Sequence, residues 1–154
     1  MNRDFVEILS ELSAAGADFL VVGAHALAAL GVPRATGDLD IWVRPTHQNA
    51  ERVLVALGKF GAPLFDLSVE DLMQSDTVFQ IGVPPSRVDI LSGISGVNFD
   101  AAWDRRTEVT VAGLSLHVLS REDFVANKRA SGRPKDLIDL ALLEEADQDD
   151  AQGP

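Results

Sequence analysis

Residues 38 to 43 read DLDIWV, an apolar strand that carries a carboxylate at two alternate positions. In an extended chain successive side chains point to opposite faces, so Asp38 and Asp40 share one face while Leu39 and Ile41 enter the opposite layer. Burying an ionised carboxylate is costly unless something positive meets it, and here two lie on the same face. A fold that uses this strand must therefore bring positive charge to that face.

The stretch before it reads as a strand, a turn and a helix. DFLVV (18–22) is a short buried strand ending at Gly23, and AHALAAL is a strong helix former that stops at Gly31. Phe5, Ile8, Leu9 and Leu12 recur at helical spacing, which predicts a first helix over about residues 4–15 with Gly16 as its stop. Thr46 opens a helix that Gly61 closes. TVFQIGV and SRVDIL are two strands joined tightly through Pro84-Pro85, and TEVTVAGLSLHVL is a hairpin turning at Ala112-Gly113. Ser120 with Asp123 caps a helix over about 121–131, Gly132 ends it, and Pro134 begins a last helix reaching about residue 145. The expectation is an α+β fold with a mixed β-sheet flanked by helices and C-terminal helices. It places a single domain at 1–146 and an acidic, disordered, solvated tail at 147–154.

The chain of 154 residues suits one compact core. It has no cysteine, which removes disulfides and thiolate metal ligands and fits a reducing cytoplasm. No apolar run reaches the ~20 residues of a membrane span. A net charge of -11 opposes extended binding to a nucleic-acid backbone, although KRASGRPK (128–135) forms a local basic patch.

A third acid, Asp89, sits in RVDIL where a half-buried strand would favour a neutral residue. Asp38, Asp40 and Asp89 on adjacent strands make an oxygen-rich site suited to Mg²⁺ or Mn²⁺. A glycine turn at a helix start beside such a site points to phosphate chemistry, with backbone N–H groups on the distal phosphates. Lys128, Arg133 and Arg34 are candidate partners for a triphosphate, and Asp136 a candidate to orient one of these bases. His47 and His117 lack metal-ligand spacing and read as structural, His25 reads as a helix-start residue packed or capped locally and not as a catalyst, and Trp42 and Trp103 read as core or rim aromatics.

VGA, thirteen residues, then DLDI, with a carboxylate on a later strand, resembles the signature of the DNA polymerase β nucleotidyltransferase superfamily. GVPRATGDLDI and FVANKRASGRPKDLIDLALL resemble more narrowly the small bacterial AbiEii-like and MNT-like nucleotidyltransferases, which include toxin and antitoxin components. The resemblance implies that Gly23 and Ala24 form the phosphate turn, and that Asp38, Asp40 and Asp89 are the metal-binding and catalytic carboxylates. It further implies transfer of an NMP from an NTP to a hydroxyl on an RNA end such as a tRNA, a protein or a small molecule, with a cognate toxin or antitoxin as a partner. Ala24 stands where the family usually has Ser or Gly, so only backbone N–H groups remain for phosphate there. The alternative is a non-catalytic member of the same fold that is a regulatory or partner-binding protein.

Overall fold

The computed structural model describes residues 1–32 and 38–151. Its elements run α1 (Arg3–Ala14), β1 (Phe19–Val22), α2 (Gly23–Ala29), β2 (Asp38–Val43), α3 (His47–Phe60), α4 (Val69–Met73), β3 (Val78–Ile81), β4 (Arg87–Leu91), α5 (Phe99–Asp104), β5 (Thr107–Val111), β6 (Leu114–Val118), α6 (Arg121–Ser131) and α7 (Pro134–Ala151). The strands form one sheet in the order β3-β4-β2-β1-β6-β5. Hairpins β3–β4 and β5–β6 are antiparallel, as is β1–β2, whereas β2–β4 and β1–β6 are parallel. The result is the expected α+β fold with a mixed sheet. Among the described residues, no helix is long and apolar enough to cross a membrane.

Local chemistry sets the boundaries. Thr46 accepts a hydrogen bond from the Asn49 N–H to open α3, and Gly61 closes that helix in the left-handed region. Ser120 caps α6 through the Asp123 N–H, and Gly132 ends it in the same left-handed way. Two short helices escape the periodicity. α4 starts from a reciprocal capping box between Ser68 and Asp71, and α5 from the Asn98 side chain. Each spans less than two turns, too little for a 3.6-residue pattern to register.

α7 also departs from expectation, since it continues to Ala151 instead of ending near residue 145. Leu140 and Leu143 anchor it in the interior, and the Arg121 guanidinium of α6 pairs with Asp147, holding a carboxylate expected to lie in a solvated tail. Residues 152–154 lie outside the described residues. Nearer its start α7 is inside out: Asp136 and Asp139 are buried, while Leu137 and Ile138 face solvent.

The sheet divides its two faces sharply. Leu39, Ile41 and Val43 of β2, with Val88 and Ile90 of β4, are essentially inaccessible and belong to a core that also takes Ile8, Leu9 and Leu12 of α1 and Val53 and Leu57 of α3. On the other face of β2, Trp42 is buried with its ring 5.0 Å from Phe99 of α5, edge to face. Asp38 and Asp40 lie on this second face.

Asn49 ties the start of β1 to the end of β2. Its Oδ1 accepts from the Asp18 N–H at 2.7 Å, and its Nδ2 donates to the carbonyls of Asp18 and Arg44, both at 3.0 Å. Truncation would strand three backbone groups beneath a buried position. Asn49→Ala should therefore lower unfolding stability by about 3 kcal/mol in urea titrations. His47→Ala, which loses only a surface pair with Glu51, should change it by less than about 0.5 kcal/mol.

Candidate active site

The carboxylate face is fixed by the parallel register of β2 and β4. Asp38 stands opposite Arg87 and Asp40 opposite Asp89, which puts three acids and one base in a block of four on a single face. The same row continues to Gln80 on β3 and to Val22 on β1, the residue just before α2. The sheet thus brings Asp38, Asp40 and Asp89 together, and Asp40 meets the Gly23 turn.

That meeting is tight. Gly23 has φ 68°, and a Cβ placed on it would overlap Oδ2 of Asp40. Both the left-handed backbone and the close approach demand glycine here. α2 begins at this turn, and Val22 supplies no side-chain cap, whereas α1, α3, α4, α5 and α6 each have one. The first N–H groups of α2, around Gly23 and Ala24, thus lack a side-chain acceptor at the N-cap.

The electrostatics are strained toward too much negative charge. Burial raises the Asp40 pKa to about 6, the charges of Asp89 and Asp38 and a hydrogen bond with Asp89 push the same way, and Lys128 opposes them. Asp89 is only 8% exposed, and its Oδ1 is buried without a hydrogen-bond partner. His25 lies beside this face, with its ring 5.5 Å from Phe5. Burial and the α-amino group of Met1 lower its pKa, while a hydrogen bond with the Asp38 backbone works the other way.

Positive charge arrives from two sides. Arg87, which sequence reasoning passed over, donates from a terminal nitrogen to Asp38 Oδ2 at 2.7 Å and to Asp89 Oδ2 at 3.4 Å. Strand alternation could have revealed it, because residues 87 and 89 must share a face. Lys128 comes from α6, which the loop after β4 approaches so closely that a Cβ on Gly96 would overlap the Cβ of Ala130. Asn127 also donates to the Ser95 carbonyl at 2.9 Å.

Lys128 is only 7% exposed and its Nζ is 3.2 Å from Asp136 Oδ1 and 3.9 Å from Asp139 Oδ2. Arg133, on the turn between α6 and α7, reaches Asp136 Oδ2 through Nε at 2.9 Å while most of its side chain stays exposed. Burial would raise the Asp136 pKa, but hydrogen bonds from Arg133 and Lys128 and the Lys128 charge outweigh it and hold the carboxyl below its ordinary value. Asp136 therefore orients both bases. The expected phosphate partner Arg34 lies outside the described residues.

Three carboxylates on one face, with a buried oxygen lacking a donor and a carboxyl pushed up to about 6, form a donor set of the hard-cation kind. As they stand, among the described residues, no group of three acidic or imidazole side chains is arranged to hold a metal ion. Arg87 holds Asp38 and leans on Asp89.

Comparison with known proteins identifies the family and the fold. A family model described as nucleotidyl transferase of unknown function (DUF2204) matches residues 1–151, and the chain belongs to that family. The crystal structure of a proposed nucleotidyltransferase from Thermotoga maritima superposes with a TM-score of 0.55 at 18% identity, covering 96% of this chain and 92% of that one. At that identity the likeness speaks for the fold. A comparison with curated proteins finds no match.

Two outcomes follow from the site's geometry. Because the folded state binds a proton at Asp40 more tightly than the unfolded chain does, the contribution of Asp40 to stability falls as pH rises from 3.8 toward 6 and is flat above. In chelator, Asp40→Asn should thus gain on the wild type across that window, reaching on the order of 2 kcal/mol by pH 7, read as the difference between melting curves. Gly23→Ala should cost about 1–2 kcal/mol from its left-handed backbone alone and displace the Asp40 carboxylate, visible as loss of the low-field Asp40 titration by NMR.

Proposed function

We propose that this member of the nucleotidyl transferase family moves a nucleoside monophosphate from an NTP to a hydroxyl acceptor at the Asp38–Asp40–Asp89 face. The observation that carries this reading is the abutment of Asp40 on the Gly23 backbone, which joins the carboxylate cluster to the start of a helix. Asp38, Asp40 and Asp89 would hold Mg²⁺ or Mn²⁺, which when bound neutralises charge on the transferring phosphoryl group and lowers the pKa of a nearby hydroxyl.

The chain's own groups do the rest. Backbone N–H groups at Gly23 and Ala24 receive the distal phosphates. Lys128 and Arg133, steadied by Asp136, supply positive charge toward the triphosphate. Asp89 accepts the proton of the acceptor hydroxyl as its oxygen bonds to the α-phosphorus and the bond to the pyrophosphate oxygen breaks. The basic segment 128–135 suits one RNA end, a protein side chain or a small molecule as acceptor, and the acidic remainder disfavours a long nucleic-acid track. The narrower placement among bacterial AbiEii-like and MNT-like proteins, with a cognate toxin or antitoxin as partner in the cytoplasm, belongs to the same proposal.

A second reading, a fold-retaining partner-binding protein without chemistry, is favoured by Ala24, which offers no hydroxyl to phosphate, and by the Arg87 contacts on two of the acids. The two separate in one experiment. Incubation with each labelled NTP, Mg²⁺ and cell extract should label one macromolecule or small molecule, and Asp38→Asn with Asp40→Asn should reduce labelling by roughly a thousandfold. NTP at about a hundred times its Kd with Mg²⁺ should also stabilise the fold by about 3 kcal/mol. Absence of labelling with every NTP, together with no metal-dependent NTP binding by calorimetry, would favour the second reading.

A further inference from the structure

We propose that Arg87 is a resident counter-ion of the carboxylate cluster and competes with a divalent cation for Asp38 and Asp89, so that binding the metal displaces the guanidinium. This inference rests on reading the three carboxylates as a metal site. β4 places Arg87 beside Asp38 across the strand pair and two residues before Asp89, so its side chain shares a face with the acids. Its contacts are unequal. The 2.7 Å hydrogen bond to Asp38 is a good charge-assisted one. Toward Asp89 the guanidinium is 3.4 Å away, and Nε of Arg87 and Oδ1 of Asp89 face each other at that distance without aligning, each buried and unsatisfied.

A planar guanidinium held by its hydrogen bond to Asp38 therefore underserves Asp89, and it makes no hydrogen bond to Asp40. A compact ion of twice the charge would serve all three carboxylates together. The Arg87 side chain is 31% exposed, so solvent can receive it when it leaves. Without a divalent ion, the guanidinium keeps three like charges from repelling the β2–β4 pair apart. Lys128 offsets these charges only from a distance, because its ammonium pairs with Asp136 and Asp139.

The test measures Mn²⁺ binding by calorimetry to chelator-stripped full-length protein, with melting curves in chelator and in Mn²⁺. Arg87→Met, which keeps length and removes the charge, should bind Mn²⁺ roughly tenfold more tightly than wild type. It should melt lower in chelator, and saturating Mn²⁺ should close that gap. Arg87→Lys retains the charge without the fork, should tighten binding by a smaller factor, and decides the matter if the Met variant does not fold. Mn²⁺ affinity unchanged or weakened in the folded Arg87 variants overturns the competition. The Asp38→Asn, Asp40→Asn pair examines the underlying reading separately: it should abolish binding. Wild-type affinity in that pair, or no Mn²⁺ binding by any of the proteins, removes the metal site and this proposal together.

Discussion

The parallel pairing of β2 with β4 is the constraint from which the rest of the site follows. Shifting that register by one residue would turn Asp89 into the hydrophobic layer and bring Val88 or Ile90 against Asp40. The fold prevents such a slip with the other face of the same strands, where Leu39, Ile41, Val88 and Ile90 are buried to near completion. Core packing on one side of the sheet thus pins charge placement on the other. The apolar face contributes the stability, and the acidic face draws on it.

That debt is visible in how the cations are deployed. Lys128 is sunk beside two carboxylates, with the guanidinium of Arg133 sharing Asp136, so this cluster is close to neutral and well bonded. A buried ion pair of this kind gives little net stability over an apolar replacement, but removing one partner is severe because the other is left uncompensated. Its value is geometric: it locks the turn between α6 and α7 and fixes where positive charge sits relative to Asp40. The cluster on the sheet face is the opposite case, with Asp89 Oδ1 buried and without a hydrogen bond.

Much of this was legible in the sequence because it depends on short-range rules. The alternation in DLDIWV, the stops at Gly61 and Gly132, the caps at Thr46 and Ser120 and the Ala112-Gly113 hairpin are all local, and each is found where it was expected. What was not legible is what tertiary contact decides. Nothing near Leu137 and Ile138 says that they point outward; that follows from Lys128, nine and ten residues earlier, lying beneath Asp136 and Asp139. The extension of α7 to Ala151 depends on Arg121, on another helix. Arg87 was readable from alternation, yet its meaning required knowing that β4 lies parallel to β2 and not beside some other strand.

The overlap between the Gly23 position and the Asp40 carboxylate ties two sites seventeen residues apart into one heritable unit. Any side chain at 23 must evict the acid, and in a lineage that abandons the acid only the left-handed backbone still asks for glycine there. Relatives that have shed their chemistry should therefore betray it twice, with a lost carboxylate in the strand and, some time afterwards, a vanished glycine before the helix.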